Sequence, residues 1–478
     1  MRESISVAIF NKTFTVRIIF ILLLLMVVGA IIRFYELTAP SLWLDELFSM
    51  NGSDPGTTLR EVYEYSKGDQ PPLFFILLHG WLKLFGYTDF AGRALTVVYG
   101  LMGIPAIYFL GKEFKNERVG LMTAMITTIN WFHADMSREI RFYPLVFLLS
   151  TLSYLFFLRS IKKSRVTDFM LYAVFTGLLL NTHYYALVVF VSQLIIFFII
   201  VIFYQRNARL IIGGIAAGLI AGLSLLHWMS IILKDLQTDQ FHVNPVPFYF
   251  PLTFAWMYFK DPAACIVYGF CIFLMVKYLI EKISRKHLPI EDLVVLGWIF
   301  IGFMIPMLYS WIKIPLLTAK YSTITLPGIF LFIASGFALI KKEKLRFYFV
   351  SALVAGAFIA IFISRPLHKP RRGEDWRDVA LYFTSQPANS QTIFAQLAYF
   401  HMFYFRNLGY NQELPIDQRF SDFNAIVKKS DRIWLLLHPR YPDAGFTPDQ
   451  QQLIDSEFQL KDEVQFKDTK ALLYERKK

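Results

Sequence analysis

The sequence predicts a polytopic α-helical membrane protein of about eleven transmembrane helices, followed by a small α/β domain at the C-terminal end. Three observations predict it. Of the 478 residues, 55% are hydrophobic and only 18% are charged, too few charges to cover the surface of a soluble chain of this length. Apolar runs of bilayer length recur through roughly the first three quarters, and the mean hydropathy is +0.45. The basic residues form short clusters between those runs rather than one continuous patch. The net charge of +12 therefore reads as a set of topology signals, and no nucleic-acid partner is expected.

The clusters are Lys112, Lys115 and Arg118; Arg159, Lys162, Lys163 and Arg165; Arg206 and Arg209; Lys282, Arg285 and Lys286; and Lys341, Lys342, Lys344 and Arg346. Held on the cytoplasmic side, they put spans near 14–35, 93–111, 119–134, 143–158, 169–183, 185–204, 210–233, 262–280, 292–312, 321–340 and 347–364. The first run, after Arg2, Lys12 and Arg17, reads as an uncleaved span, because Arg33 and the apolar residues beyond Ala30 would make a poor mature N-terminus. An odd number of spans with the N-terminus inside places everything after residue 365 on the outer side. The run from Pro71 to Gly86 is shorter than the ~20 residues needed to cross, and crossing would invert the later basic loops. It reads as a helix in the outer interface, with Pro-Pro at its start and Trp81 and Lys83 at headgroup level.

The transmembrane module is thus 1–364, with outer loops 36–92, 133–142, 234–261 and 313–320, and the outer domain is 365–478. The break at Asn181-Thr182-His183-Tyr184-Tyr185 reads as a tight outer hairpin, and loop 234–261, with Pro245, Pro247 and Pro251, as a structured lid. Cys265 and Cys271 share one apolar run at a spacing that suits neither a metal nor a disulfide framework, so both read as packed or lipid-facing thiols. In the tail a helix is expected from near Asp375, with strands at 391–395 and 432–437 and alternation over 458–475.

On this topology Asp45, Glu46, Asp69, Asp135, Arg138, Glu139, Arg141, His183 and Lys320 all face outward at similar depth. Singly, each has an ordinary explanation as a loop carboxylate, a helix cap, a snorkelling cation or a satisfied histidine. Together, acids and bases gathered beside the outer loops of an apolar bundle point to a functional cavity. Such a set suits group transfer from a lipid-linked phosphate. An anionic headgroup is held at the interface while an acceptor hydroxyl loses its proton, with Asp45 as the base. Arg138, Arg141 and Lys320 would stabilise the leaving phosphate. The rival from these residues is a lipid flippase or transporter, but such proteins place ionisable sites near the bilayer midplane, where this chain has almost none.

Several motifs in order resemble a known family: Trp43-Leu44-Asp45-Glu46, Gln70-Pro71-Pro72-Leu73-Phe74-Phe75, Leu84-Phe85-Gly86, Glu139-Ile140-Arg141-Phe142-Tyr143, Thr182-His183-Tyr184-Tyr185, Lys320-Tyr321 with Leu326-Pro327, and Asp375-Trp376-Arg377. Over most of its length the chain resembles the bacterial GT-C glycosyltransferases related to protein O-mannosyltransferases and aminoarabinose transferases. The resemblance implies an inverting transferase in the bacterial inner membrane, with its N-terminus cytoplasmic and its outer domain periplasmic. It implies a polyprenyl-phosphate sugar as donor, a lipid, glycan or protein as acceptor, and membrane lipids as surroundings. Asp45 would be the base and Glu46 a neighbour that orients the loop or tunes it. Arg138, Arg141, Lys320 and Tyr321 would bind the donor phosphate, with Asp135 or Glu139 as second-loop acid. No cofactor is assigned with certainty; relatives can hold a divalent metal, whose ligands here would be Asp69 and His183. Three positions depart from the family: Gln70 stands where relatives carry Lys, Phe142-Tyr143-Pro144-Leu145 replaces Asp-x-Pro-Leu, and Lys320 replaces an Arg.

Overall fold

The computed structural model describes residues 2–235, 247, 249, 256, 258–313, 315, 317–364, 366–367, 374–385, 392–395, 397–409, 427–439 and 447–477. The expected lid at 234–261 falls largely outside these residues, as does part of loop 313–320. In chain order the helices of the first part are α1 (Arg2–Phe34), α2 (Leu44–Asn51), α3 (Leu59–Ser66), α4 (Leu73–Phe85), α5 (Asp89–Phe114), α6 (Glu117–Ile129), α7 (Trp131–Met136), α8 (Tyr143–Lys163), α9 (Val166–Leu180), α10 (Ala186–Phe203), α11 (Ala208–Leu223) and α12 (Met229–Asp235). There follow α13 (Pro262–Ser284), α14 (Ile290–Ile312), α15 (Leu326–Ala338) and α16 (Glu343–Phe358). The tail holds α17 (Trp376–Ser385), β1 (Thr392–Ala395), α18 (Ala398–Asn407), β2 (Arg432–Leu437), α19 (Pro448–Glu457), β3 (Phe458–Gln465) and β4 (Lys470–Arg476).

The expected spans fall largely on helix, and nine helical stretches among the described residues are long and apolar enough to cross a bilayer. This is an integral membrane protein. Two expected spans are shorter than that test requires. Helix α9 has 15 residues, and the stretch expected at 119–134 is two helices, α6 with 13 residues and α7 with 6. The break has a physical cause. The Asn130 side chain accepts from His133 N at 2.9 Å and caps α7, so the helical ladder stops there. Helix α4, the expected interfacial helix, has 13 residues and rises only about 20 Å; it ends at Gly86, whose φ of +94° is a conformation that glycine alone adopts cheaply.

The described residues fall into two compact units: residues 1–35, 57–80 and 93–367, and residues 36–56, 81–92 and 368–478. The division differs from a single cut after residue 364, since two stretches of the first long loop cluster with the tail.

In the first unit, α8 sets the scale. Its 21 residues rise about 30 Å, the thickness of a hydrocarbon core. At its C-terminal end the basic clusters are tied to acids on neighbouring helix ends: Lys162 to Glu291 and Lys163 to Glu113, both 2.8 Å, Arg159 to Asp168 at 3.0 Å, and Lys115 to Asp292 at 2.7 Å. Between the ends the polar contacts are neutral, as in Ser153 with Thr176 at 2.8 Å and Gln193 with Ser153 at 2.8 Å, which link helices without burying charge. Arg33, fully buried near the end of α1, donates to the Thr127 and Thr128 carbonyls at 3.0 and 3.1 Å and thereby satisfies the last turn of α6. Cys265 and Cys271 on α13 are free thiols, the second buried.

In the second unit, β1 to β4 form one sheet of order β1-β2-β4-β3, with β1 and β2 parallel and the other pairs antiparallel. Strand β2 is buried on both faces over Ile433–Leu436 and packs with Phe394, Val427, Ile454, Phe458 and Leu472, whereas edge strand β3 is mostly exposed. The start of α17 ties loop to tail. Glu374 accepts from Leu44 N at 2.7 Å and Trp376 Nε1 at 2.8 Å, and Arg377 pairs with Asp89 at 2.6 Å. Asp375 accepts from the Asp468 and Thr469 backbone at 2.7 and 3.2 Å. The fully buried Trp376 ring lies 4.7 Å from His401 and 4.5 Å from His438, whose Nε2 atoms are 3.3 Å apart.

Burial, then the neighbouring His438, holds the His401 pKa well below the usual imidazole value. Its neutral form is the folded form, so this contribution is complete above pH 6.5 and is lost as pH falls below that unfolded value. Limited proteolysis of the tail should therefore quicken between pH 7.5 and pH 5 in wild type, and by less in His401→Gln; equal quickening would remove this pair as the cause.

Candidate active site

The first unit gathers a second set of charged side chains at the opposite end of α8 from the basic clusters. Pro144 in the first turn of α8 suits a helix start, and the segment leading into it, Ser137 to Phe142, is almost wholly buried. Two ion pairs form there. Arg141 Nη2 donates to Asp69 Oδ2 at 3.2 Å, and Lys320 Nζ to Glu139 Oε2 at 2.7 Å. The side chain of Arg141 is only 6% exposed, so water screens its charge weakly and an anion must be close.

Aromatic rings line the same cluster. The Phe142 ring carries the Arg141 guanidinium at 4.9 Å and the His183 imidazole at 4.3 Å, while Tyr321 lies 5.0 Å from His183 and 5.4 Å from Tyr185. Lys320 Nζ lies 5.4 Å from the Tyr143 ring. A backbone bond from Leu73 N to the Asn181 carbonyl, 3.0 Å, ties the start of α4 to the turn between α9 and α10. The structure thus brings together Asp69, Glu139, Arg141, His183, Lys320 and Tyr321. Two cations, each neutralised by a carboxylate and flanked by rings, can receive a phosphate by exchanging one anion for another.

Other expected site residues make contacts of their own. Arg138 Nη1 donates to the Arg33 and Tyr35 carbonyls at 2.9 and 2.7 Å, closing the C-terminus of α1. Asp135 is buried on α7, and its backbone carbonyl accepts from Arg138 N at 3.0 Å. Asp45 and Glu46 belong to the second unit, in the first turn of α2. Glu46, 1% exposed, accepts from Trp43 N at 3.3 Å and caps the helix; Asp45 is half-buried, and its carbonyl accepts from Ser49 Oγ at 2.9 Å.

The pair raised as metal ligands does not fit a divalent ion. Tyr185 N–H donates to His183 Nδ1 at 3.0 Å, so the neutral ring carries its proton on Nε2. A metal on Nε2 would force that proton onto Nδ1, facing another donor. Asp69 is already paired with Arg141, and among the described residues no three His, Cys, Asp or Glu side chains come together to hold an ion.

Sequence reasoning did not single out Phe142, Tyr143 and Tyr185 as site residues, although all three lie inside the motifs it quoted. It also did not find Glu374, whose partner Leu44 is far away in the chain.

Comparison with known proteins agrees with this architecture. Residues 69–230 match the family model described as dolichyl-phosphate-mannose-protein mannosyltransferase. ArnT from Cupriavidus metallidurans, solved bound to undecaprenyl phosphate, aligns over 94% of this chain and 97% of its own, with 12% identity and a TM-score of 0.63. The apo form of that protein aligns over 97% and 98%, with 11% identity and a TM-score of 0.60. The chain has the GT-C fold. The apo oligosaccharyltransferase of Archaeoglobus fulgidus, another GT-C protein, aligns over 89% of this chain and 70% of its own, with 10% identity and a TM-score of 0.54. In sequence, no curated protein matches the chain. The region matched by the family model holds Asp69, Glu139, Arg141 and His183 of this GT-C chain; Asp45, Lys320 and Tyr321 lie outside it.

The Arg141–Asp69 pair makes a stability prediction. Asp69→Asn should cost about 2–4 kcal/mol by removing the counter-charge of a buried guanidinium, and Arg141→Met on that background should recover much of the loss. Thermal unfolding of the four proteins in detergent closes the cycle; additive losses would show that the pair is not coupled.

Proposed function

We propose that this protein transfers a sugar from a polyprenyl-phosphate donor to an acceptor at the periplasmic face of the bacterial inner membrane. The observation that carries the reading is the pair of carboxylate-held cations, Arg141 and Lys320, beside aromatic rings at one end of the bilayer-long helix α8. Support comes from the GT-C fold shared with a protein solved bound to undecaprenyl phosphate, and from the match to a mannosyltransferase family model.

In this scheme the two cations serve the leaving group, and the family resemblance supplies the base. Asp45 takes the proton of an acceptor hydroxyl, whose oxygen attacks the anomeric carbon with inversion. The bond from that carbon to the phosphate oxygen breaks, and the polyprenyl phosphate leaves with the electron pair. Arg141 and Lys320 balance the charge it gains, so the leaving group needs no proton. Tyr321 forms the aromatic wall with Tyr185 and His183. Glu46, which caps α2, fixes the loop that carries Asp45. No metal enters this scheme.

Deletion of the gene should remove one glycan or glycolipid of the envelope, whose composition identifies sugar and acceptor. Re-expression of wild type should restore it. Asp45→Asn, present in the membrane at the wild-type level with an unchanged thermal midpoint, should restore less than about 1% of it, since a lost general base costs at least ~10²-fold. Restoration to near the wild-type level by Asp45→Asn would remove Asp45 from the mechanism.

A further inference from the structure

We infer that His183 is a neutral hydrogen-bond donor to an anionic oxygen of the lipid phosphate, and not a metal ligand. The inference rests on the lipid-phosphate reading above. It is carried by three observations in the turn between α9 and α10.

First, the tautomer is fixed from below. The Tyr185 backbone N–H reaches His183 Nδ1 at 3.0 Å, which makes Nδ1 the acceptor and leaves the ring proton on Nε2. Second, that Nε2 is buried, on a side chain only 3% exposed, and has no partner among the described residues. Buried N–H groups are nearly always satisfied in folded proteins, so one with no partner among the described residues, close to two cations, is suited to an anionic acceptor such as a bound phosphate. Third, the surroundings favour a negative one. His183 shares the Phe142 ring with Arg141, the imidazole lying 4.3 Å and the guanidinium 4.9 Å from it. Tyr185 Oη is likewise buried without a partner among the described residues, on a ring 5.7 Å from His183.

A neutral donor has a defined advantage here. Arg141 and Lys320 already supply two charges, and a third would raise the cost of keeping the cluster dry before the ligand arrives. An imidazole N–H adds direction without charge. It cannot protonate the phosphate near neutral pH, in keeping with a leaving group stabilised as an anion.

The test is the affinity of the purified full-length protein for undecaprenyl phosphate in detergent micelles, with the metal content of each preparation measured by mass spectrometry. His183→Phe keeps the ring and loses the donor; His183→Gln keeps an N–H at similar reach and has no imidazole. Affinity should fall about tenfold or more in His183→Phe and stay within about threefold in His183→Gln. Chelator should leave the wild-type value unchanged. Equal losses in the two variants, with thermal midpoints preserved, would overturn the inference, as would one equivalent of metal in wild type that both variants lose together with affinity. Wild-type affinity in both variants would overturn it while leaving the lipid-phosphate reading intact. A wild-type protein that does not bind undecaprenyl phosphate would overturn both.

Discussion

The first unit depends on keeping two cations at the end of apolar helices where water is scarce. A guanidinium or ammonium in that setting is tolerable only with an anion in contact, and the chain supplies one for each: Asp69 for Arg141, Glu139 for Lys320. The four residues come from three distant stretches, so the pairs also fix how the start of α4, the segment before α8 and the segment before α15 meet. Because each counter-ion is a carboxylate, the cluster is stable without ligand and remains chemically suited to a phosphate. Exchange of one anion for another avoids the cost of exposing a bare buried charge.

The second unit solves a different problem, that of holding an acidic loop still. Leu44 and Asp89 are fastened by Glu374 and Arg377, and the same turn is anchored through Asp375 to Thr469 and through Trp376 to the two histidines. One tetrapeptide therefore connects the helix that bears Asp45 to the core of the tail. The tail domain is therefore part of how residues 36–56 and 81–92 acquire their shape.

The positions of the spans were legible because bilayer length and basic clusters are properties of composition, which one sequence displays directly. The break at Asn130 was legible in principle, since Asn before an apolar run is an N-cap signal, but the surrounding hydrophobicity outweighed it. The charged residues of the outer segments were readable in the sequence, and their pairings were not. Arg138 and Arg141 lie three residues apart with the same chemistry, and only the fold shows that one closes α1 while the other joins the cluster. Asp375-Trp376-Arg377 stood out as a motif, yet its role needed Ala39, Pro40 and Asp89, hundreds of residues away. The direction of the proton on His183 depends on a single backbone contact, which no spacing rule contains.

The most direct measurement is the fate of a labelled polyprenyl-phosphate sugar in proteoliposomes built from the protein and the lipids of its own envelope. Free polyprenyl phosphate should be released with the label recovered on a new product, and both should be lost in Arg141→Ala/Lys320→Ala. Label recovered as the unchanged lipid-linked sugar on the opposite leaflet, with no new product, would contradict sugar transfer and identify a transporter.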